Sequence, residues 1–169
     1  MNSIISKYRS FLFQTKNLKF DSYSKLHNWS INYQLEFWTS IIDFFKIRFS
    51  KQTREFHLDN DKFYNSQWFY DSTLSYSENI FNSYSDEIPA IKYQSEEKEL
   101  VSISWNALKA KTLEFQKILL SNNIKKGDIV VAYCGNSPET IAAFLATNSL
   151  GAIWSSCSPD FGYDAVNEL

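Results

Sequence analysis

The stretch Ile129-Val130-Val131-Ala132-Tyr133-Cys134-Gly135-Asn136-Ser137-Pro138 decides the fold. Ile129 to Cys134 is a continuous apolar run of strand length, the pattern of a strand buried on both faces. Gly135 and Asn136 form a turn, Ser137 is placed to cap a helix, and Pro138 suits the first helical position, where its missing N–H costs nothing. Ile141, Phe144 and Leu145 then alternate with small Ala142, Ala143 and Ala146, and Gly151 fits the helix stop. Ala152 to Ser156 reads as a second buried strand. Strand, helix, strand of this length is a βαβ unit, so the expected sheet is parallel with a right-handed crossover. The fold class is α/β.

Working outward, a further helix is expected from near Gly162 through Ala165, Val166 and Leu169. Upstream, Ser104 caps a helix running to about Ser121, with Trp105, Leu108, Thr112, Phe115 and Leu119 on its apolar face. Ahead of it, Ala90 to Gln94 and Glu99 to Ile103 flank a charged turn, the signature of a hairpin. Residues 51–87 show no sustained period and read as irregular, with a short helix near Ser77 to Tyr84. From Ile31 to Phe49, Leu35, Trp38, Ile42, Phe45 and Phe49 recur at helical spacing, and Phe37, Ile41, Phe44 and Ile47 widen the stripe. So broad an apolar face predicts core packing. Glu36 and Asp43 spoil the cationic polar face that a membrane-surface helix needs.

Composition bounds the rest. The 169 residues are 44% hydrophobic and 21% charged, with a net charge of -2, which suits one domain or part of a larger one. No window approaches 18 uninterrupted apolar residues, so no membrane-spanning helix is expected. Met1 to Phe20 carries Lys7, Arg9, Lys16 and Lys19 without a long apolar block, a poor secretory signal. Two cysteines are too few for a disulfide scaffold, and a reduced, cytoplasmic setting is the default. The four glycines all lie from Gly127 onward, whereas all 17 lysines and arginines lie at or before Lys126. The segment 127–169 therefore carries a net -5 and residues 1–126 a net +3. No basic run or aromatic reading motif accompanies that weak positive charge, so no nucleic-acid partner is expected.

Candidate chemistry is sparse. The Gly135-Asn136-Ser137-Pro138 turn opens a helix whose free N–H groups could hold an anion. It lacks the glycine spacing and the lysine of a nucleotide loop, so an ordinary capped helix is the expectation. His27 and His57 stand 30 residues apart without a ligand partner at metal spacing. Cys134 and Cys157 have no histidine near them in sequence to generate a thiolate. Glu96, Glu97 and Glu99 around Lys98 read as a solvated turn tip. No catalytic, cofactor-binding or metal-ligating residue is assigned.

The run Gly151-Ala152-Ile153-Trp154-Ser155-Ser156-Cys157-Ser158-Pro159-Asp160-Phe161-Gly162 resembles the acetoacetyl-CoA synthetases, a branch of the adenylate-forming acyl-CoA synthetase superfamily. Asn123 to Val131 looks like that superfamily's turn and first strand, and Asn136 to Glu139 with Ala143 to Thr147 is similar to its following helix. Trp29-Ser30, Phe37-Trp38 and Asp43-Phe44-Phe45 resemble the N-terminal cap, and Trp68-Phe69 with Tyr76-Ser77-Glu78-Asn79 the motif joining cap to core. Tyr70, Asp71 and Ser72 depart from the small turn usual there, as does Ser75 from asparagine.

The resemblance implies a cap over residues 1–87 and the start of an AMP-dependent synthetase large domain, incomplete, over 88–169. It implies a ligase joining acetoacetate to CoA through an acyl-adenylate, with ATP, CoA and Mg²⁺ as the family's cofactors. The family's phosphate loop, nucleotide and CoA contacts and mobile C-terminal domain have no counterpart in these residues. The expectation is therefore an N-terminal fragment, inactive alone, whose partner would be the missing remainder. Trp154, Cys157 and Asp160 are signature positions expected to be structural. The alternatives are a synthetase for acetate or propionate, or a non-catalytic interaction module. Without a glycine-rich phosphate cradle, the purified chain should show no calorimetric titration with Mg-ATP. A site in the micromolar range would contradict this reading.

Overall fold

The computed structural model describes residues 3–53, 56–57, 62–82 and 87–167, which fall into two compact units, Met1–Leu74 and Ser75–Leu169. In the first unit, Ser3 accepts from the Ser6 amide at 3.2 Å and starts α1 (Ile4–Lys16). Ser22 does the same for the Lys25 amide and starts α2 (Tyr23–Asn32). Asn17 ends α1 in the left-handed region at φ 55°, where asparagine is tolerated better than most residues.

The helix expected over 31–49 is interrupted. Ile31 belongs to the end of α2, which closes at Asn32, the backbone breaks at Tyr33 (φ -126°, ψ 59°), and α3 runs only Gln34–Phe45. Lys46 then turns left-handed at φ 52°, with its amide on Asp43 O and the Ile47 amide on Ile42 O. That pair of bonds is a Schellman stop made without glycine, which is why no glycine signal announced it. The buried face also differs from the expected stripe. Phe37, Ser40, Ile41 and Phe44 face the core with Ile42, whereas Leu35, Trp38 and Phe45 are exposed.

That core consists of Tyr8, Leu12 and Leu26. Phe44 packs on Tyr8 and Phe11 with ring centroids 5.1 and 5.3 Å apart, and Phe20 packs on Trp29 at 5.2 Å. The Tyr8 hydroxyl is buried and hydrogen-bonded to Ser40 Oγ, and Arg9 donates to the Phe20 carbonyl. Burial pushes the Tyr8 phenol above its ordinary pKa, and the Ser40 bond opposes that. Residues 51–87, expected to be irregular, contain a two-residue antiparallel pair, β1 (Phe56–His57) with β2 (Gln67–Trp68), around a single 3₁₀ turn (Phe63–Asn65). Trp68 meets Trp38 edge-on at 5.4 Å.

In the second unit, α4 (Tyr76–Asn82) matches the short helix expected near Ser77; Tyr84 lies outside the described residues. The hairpin is present as β3 (Ile91–Tyr93) antiparallel to β4 (Val101–Ile103). Helix α5 (Trp105–Ser121) starts on Ser104 and buries Leu108 and Thr112, with Trp105, Phe115 and Leu119 half-buried beside them. Its expected face is the observed one. The βαβ unit follows as β5 (Ile129–Tyr133), α6 (Pro138–Ser149) and β6 (Ile153–Cys157), with Ser137 capping and Pro138 in the first turn. The strands are parallel and register from Ile129 against Ile153 to Tyr133 against Cys157. Leu108, Ala142 and Leu145 form the core, and the buried Ser77 hydroxyl donates to Leu145 O at 2.6 Å.

Two glycines align the strand entrances. Gly127 (φ 91°) donates its amide to Gly151 O at 3.0 Å, and Gly151 (φ 70°) leaves only 3.1 Å between a built Cβ and Lys126 Cγ. Both adopt the region that favours glycine. The short final helix α7 spans Tyr163–Asn167; Leu169 lies outside the described residues.

The two strands are not buried throughout, contrary to the expectation from their composition. Along β5 exposure alternates, and Ile129, Val131 and Tyr133 share an open face with Ile153 of β6, with Ile129 64% and Ile153 53% exposed. Helix α6 covers the opposite face, where Phe144 meets Trp154 at 6.2 Å; both rings are half-buried. Leu145→Ala, which empties a core site, should cost about 2–5 kcal/mol in urea unfolding. Phe144→Ala, at a half-exposed ring, should cost less, and the reverse order would contradict this packing.

Candidate functional site

The carboxyl ends of β5 and β6 open onto two loops, Cys134 to Ser137 and Ser158 to Gly162. In an open parallel sheet this is the end at which ligands bind. The first loop is closed by its own side chains. Ser137 Oγ accepts from the Thr140 amide at 3.3 Å, and Thr140 Oγ1 donates to Gly135 O at 2.7 Å. Cys134 Sγ lies 3.4 Å from the same Thr140 hydroxyl. Glu139 puts a carboxylate in the first turn of α6, where an incoming anion would otherwise be attracted. The expected plain capped helix is what the structure has.

Glu139 is held by Lys111 of α5, Nζ to Oε1 at 2.9 Å. The hydrogen bond from Lys111 lowers the Glu139 pKa and, in return, the bond to Glu139 raises that of Lys111. Both side chains are well over a third exposed, so solvent screens the pair.

The second loop begins with a tight turn. The Phe161 amide donates to Ser158 O at 3.1 Å, with Pro159 at the second position, and Ser158 Oγ donates to Asp160 Oδ2 at 2.9 Å. Tyr133, the last residue of β5, reaches across it. Its hydroxyl lies 2.7 Å from Pro159 O and 3.1 Å from Phe161 O. Sequence reasoning missed this tie because a tyrosine at the end of an apolar run reads as one more strand residue. The contact spans 26 and 28 residues, and no local spacing encodes it.

The other candidates are scattered. His27 stacks on Tyr23 at 6.1 Å in the first unit, and the side chain of His57 lies outside what is described. Cys157 is buried with Sγ 3.8 Å from Ala132 O, Trp154 packs on Phe144, and Asp160 serves the turn. Glu96, Glu97 and Glu99 are exposed around the hairpin, where Ser95 and Lys98 exchange backbone hydrogen bonds. Among the described residues, no group of three or more His, Cys, Asp or Glu side chains is arranged to hold a metal ion. Among them too, no helix is long and apolar enough to cross a membrane. The first unit has an apolar groove of about 300 Å³ over Tyr8, Leu26, Ile41 and Phe44.

Residues 81–169 match the family model described as AMP-binding enzyme. The acetoacetyl-coenzyme A synthetase of Rhizobium meliloti (strain 1021) is 35% identical over 147 residues, covering 87% of this chain and 22% of that protein. The acetoacetyl-CoA synthetase of Macaca fascicularis is 33% identical over 168 residues, covering 98% and 25%. The structure of acetoacetyl-CoA synthetase from Streptomyces lividans superposes with a TM-score of 0.80 at 29% identity, covering 95% of this chain and 25% of that one. The chain spans about a quarter of the length of these relatives.

Breaking the ion pair at the mouth of α6 tests its weight. Lys111→Met should cost about 0.2–1 kcal/mol at neutral pH. The depressed Glu139 pKa stabilises the fold above the unfolded value of about 4.3, and this is lost as pH falls through the folded value. The raised Lys111 pKa contributes below the unfolded value of about 10.4 and is lost as pH rises through the folded one. Parent and variant stabilities should therefore converge at both extremes; a constant gap from pH 3 to pH 11 would assign the loss to packing.

Proposed function

The chain belongs to the AMP-binding enzyme family, and from that membership we propose that it is the N-terminal part of an acetoacetate–CoA ligase. The observation that carries this reading is collinear similarity over almost the whole chain to acetoacetyl-CoA synthetases, in both sequence and backbone. In the proposed reaction acetoacetate attacks the α-phosphate of ATP, giving an acyl-adenylate and pyrophosphate. The CoA thiol then displaces AMP and leaves acetoacetyl-CoA. Mg²⁺ would neutralise phosphate charge in the first step.

The residues in hand do not fit the nucleotide. The α6 N-terminus is filled by Ser137, Thr140 and Glu139, and 127–169 holds no basic side chain to meet phosphate. No step of the reaction is therefore routed through them. What they supply is scaffold: a parallel strand pair with its α6 crossover, packed against α5. The assignment of 1–87 to a cap and 88–169 to the start of the large domain belongs to the same proposal. So does a reduced, cytoplasmic setting, consistent with the free thiols of Cys134 and Cys157.

Grafting supplies the test. This chain, replacing the equivalent first quarter of the Streptomyces lividans synthetase, should support acetoacetate-dependent ATP–pyrophosphate exchange, whereas the chain alone should give none. Exchange by the chain alone would overturn the fragment reading. A folded but inactive graft would favour a non-catalytic module. Transcript sequence beyond the Leu169 codon should encode a Ser/Thr/Gly-rich phosphate loop; unrelated sequence there would count against a ligase.

A further inference from the structure

We infer that Tyr133 is a positioning residue for the turn Ser158 to Gly162, and through that turn for a substrate held at the carboxyl end of the sheet. The inference rests on the ligase reading above and adds a residue to it. Tyr133 is the cross-strand partner of Cys157, so its ring starts beside the last residue of β6. The turn leaves the sheet one residue later. From there the phenol hydroxyl, with one proton, reaches two carbonyls, Pro159 O at 2.7 Å and Phe161 O at 3.1 Å.

Those two carbonyls flank Asp160, whose own carboxylate is tied to Ser158 Oγ. Remove the phenol proton and, among the described residues, the Phe161–Ser158 backbone bond, the Ser158–Asp160 bonds and the Val166 amide on Gly162 O are left to shape the turn. All of these are local, and none links the turn to the sheet. Tyr133 is itself 54% exposed, so its hydroxyl ties it to its surroundings more than packing does. The turn also sits where parallel sheets present loops to ligands, beside the only other loop leaving this strand pair at that end. A group that fixes such a loop acts on binding by removing conformational freedom before the ligand arrives.

Tyr133→Phe keeps the ring and removes the proton. In the 169-residue chain, amide exchange at Phe161 should accelerate about tenfold, the size of one ordinary hydrogen bond. In the active graft, the same substitution should raise the KM for acetoacetate, ATP or CoA about five- to tenfold and leave kcat within about twofold. A merely structural residue would lower the amount of active enzyme without that split. Unchanged exchange at Phe161 overturns the tie itself. An active graft whose three KM values are all unmoved by Tyr133→Phe overturns the positioning role, as does a fall in kcat at constant KM. If the unsubstituted graft is inactive, the ligase reading fails and the positioning role with it, while exchange still reports whether the tie exists.

Discussion

The parallel ladder between β5 and β6 is the constraint on which the second unit depends. Two parallel strands cannot be joined by a tight turn, so the chain must leave the sheet, cross it and return. Helix α6 is that crossing, and its small residues Ala142 and Ala146 are fully buried because α5 approaches closely there. The ladder is aligned at its entrance by the Gly127–Gly151 contact and at its exit by Cys134 N–H on Cys157 O. Everything placed at the carboxyl end, including the Tyr133 tie, inherits its position from this register.

Only one face of that ladder is covered. Ile129, Val131 and Ile153 are the residue types of a doubly buried strand, yet they face outward. Their exposure accords with a chain that spans about a quarter of its relatives' length. Among the described residues neither outer edge of this apolar strand pair is paired, which makes it a template for further strand addition.

The first unit is held differently. Its core is Tyr8, Leu12 and Leu26 surrounded by half-buried aromatic rings, with a buried polar contact between Tyr8 and Ser40. Helix lengths there are set by caps: serine at the starts of α1 and α2, and left-handed Asn17 and Lys46 at the ends of α1 and α3. Edge-on aromatic contacts add specificity beyond buried area. His27 stacks on Tyr23, and Asp21 pairs with Lys25 at the surface.

Where local chemistry suffices, the sequence was legible. Ser104, Ser137 and Pro138 mark helix starts, Gly151 marks a stop, and the 105/108/112/115/119 spacing predicts the face that α5 buries. These signals act within one or two helical turns. They failed over 31–49, where helix and stop are both made of ordinary residues and Lys46 turns left-handed without glycine. They failed again over 56–68, where strands two residues long carry no period. Residue types and order by themselves determined the βαβ unit, because an apolar run, a capped helix and a glycine stop admit one connection; the family was legible only through the resemblance of the Gly151–Gly162 run to known synthetases. Tertiary structure alone decided which strand face stays open, and that the Tyr133 hydroxyl ties down a turn 26 residues away. Both depend on what is adjacent in space, and adjacency across a sheet is set by register and crossover, which no local spacing records.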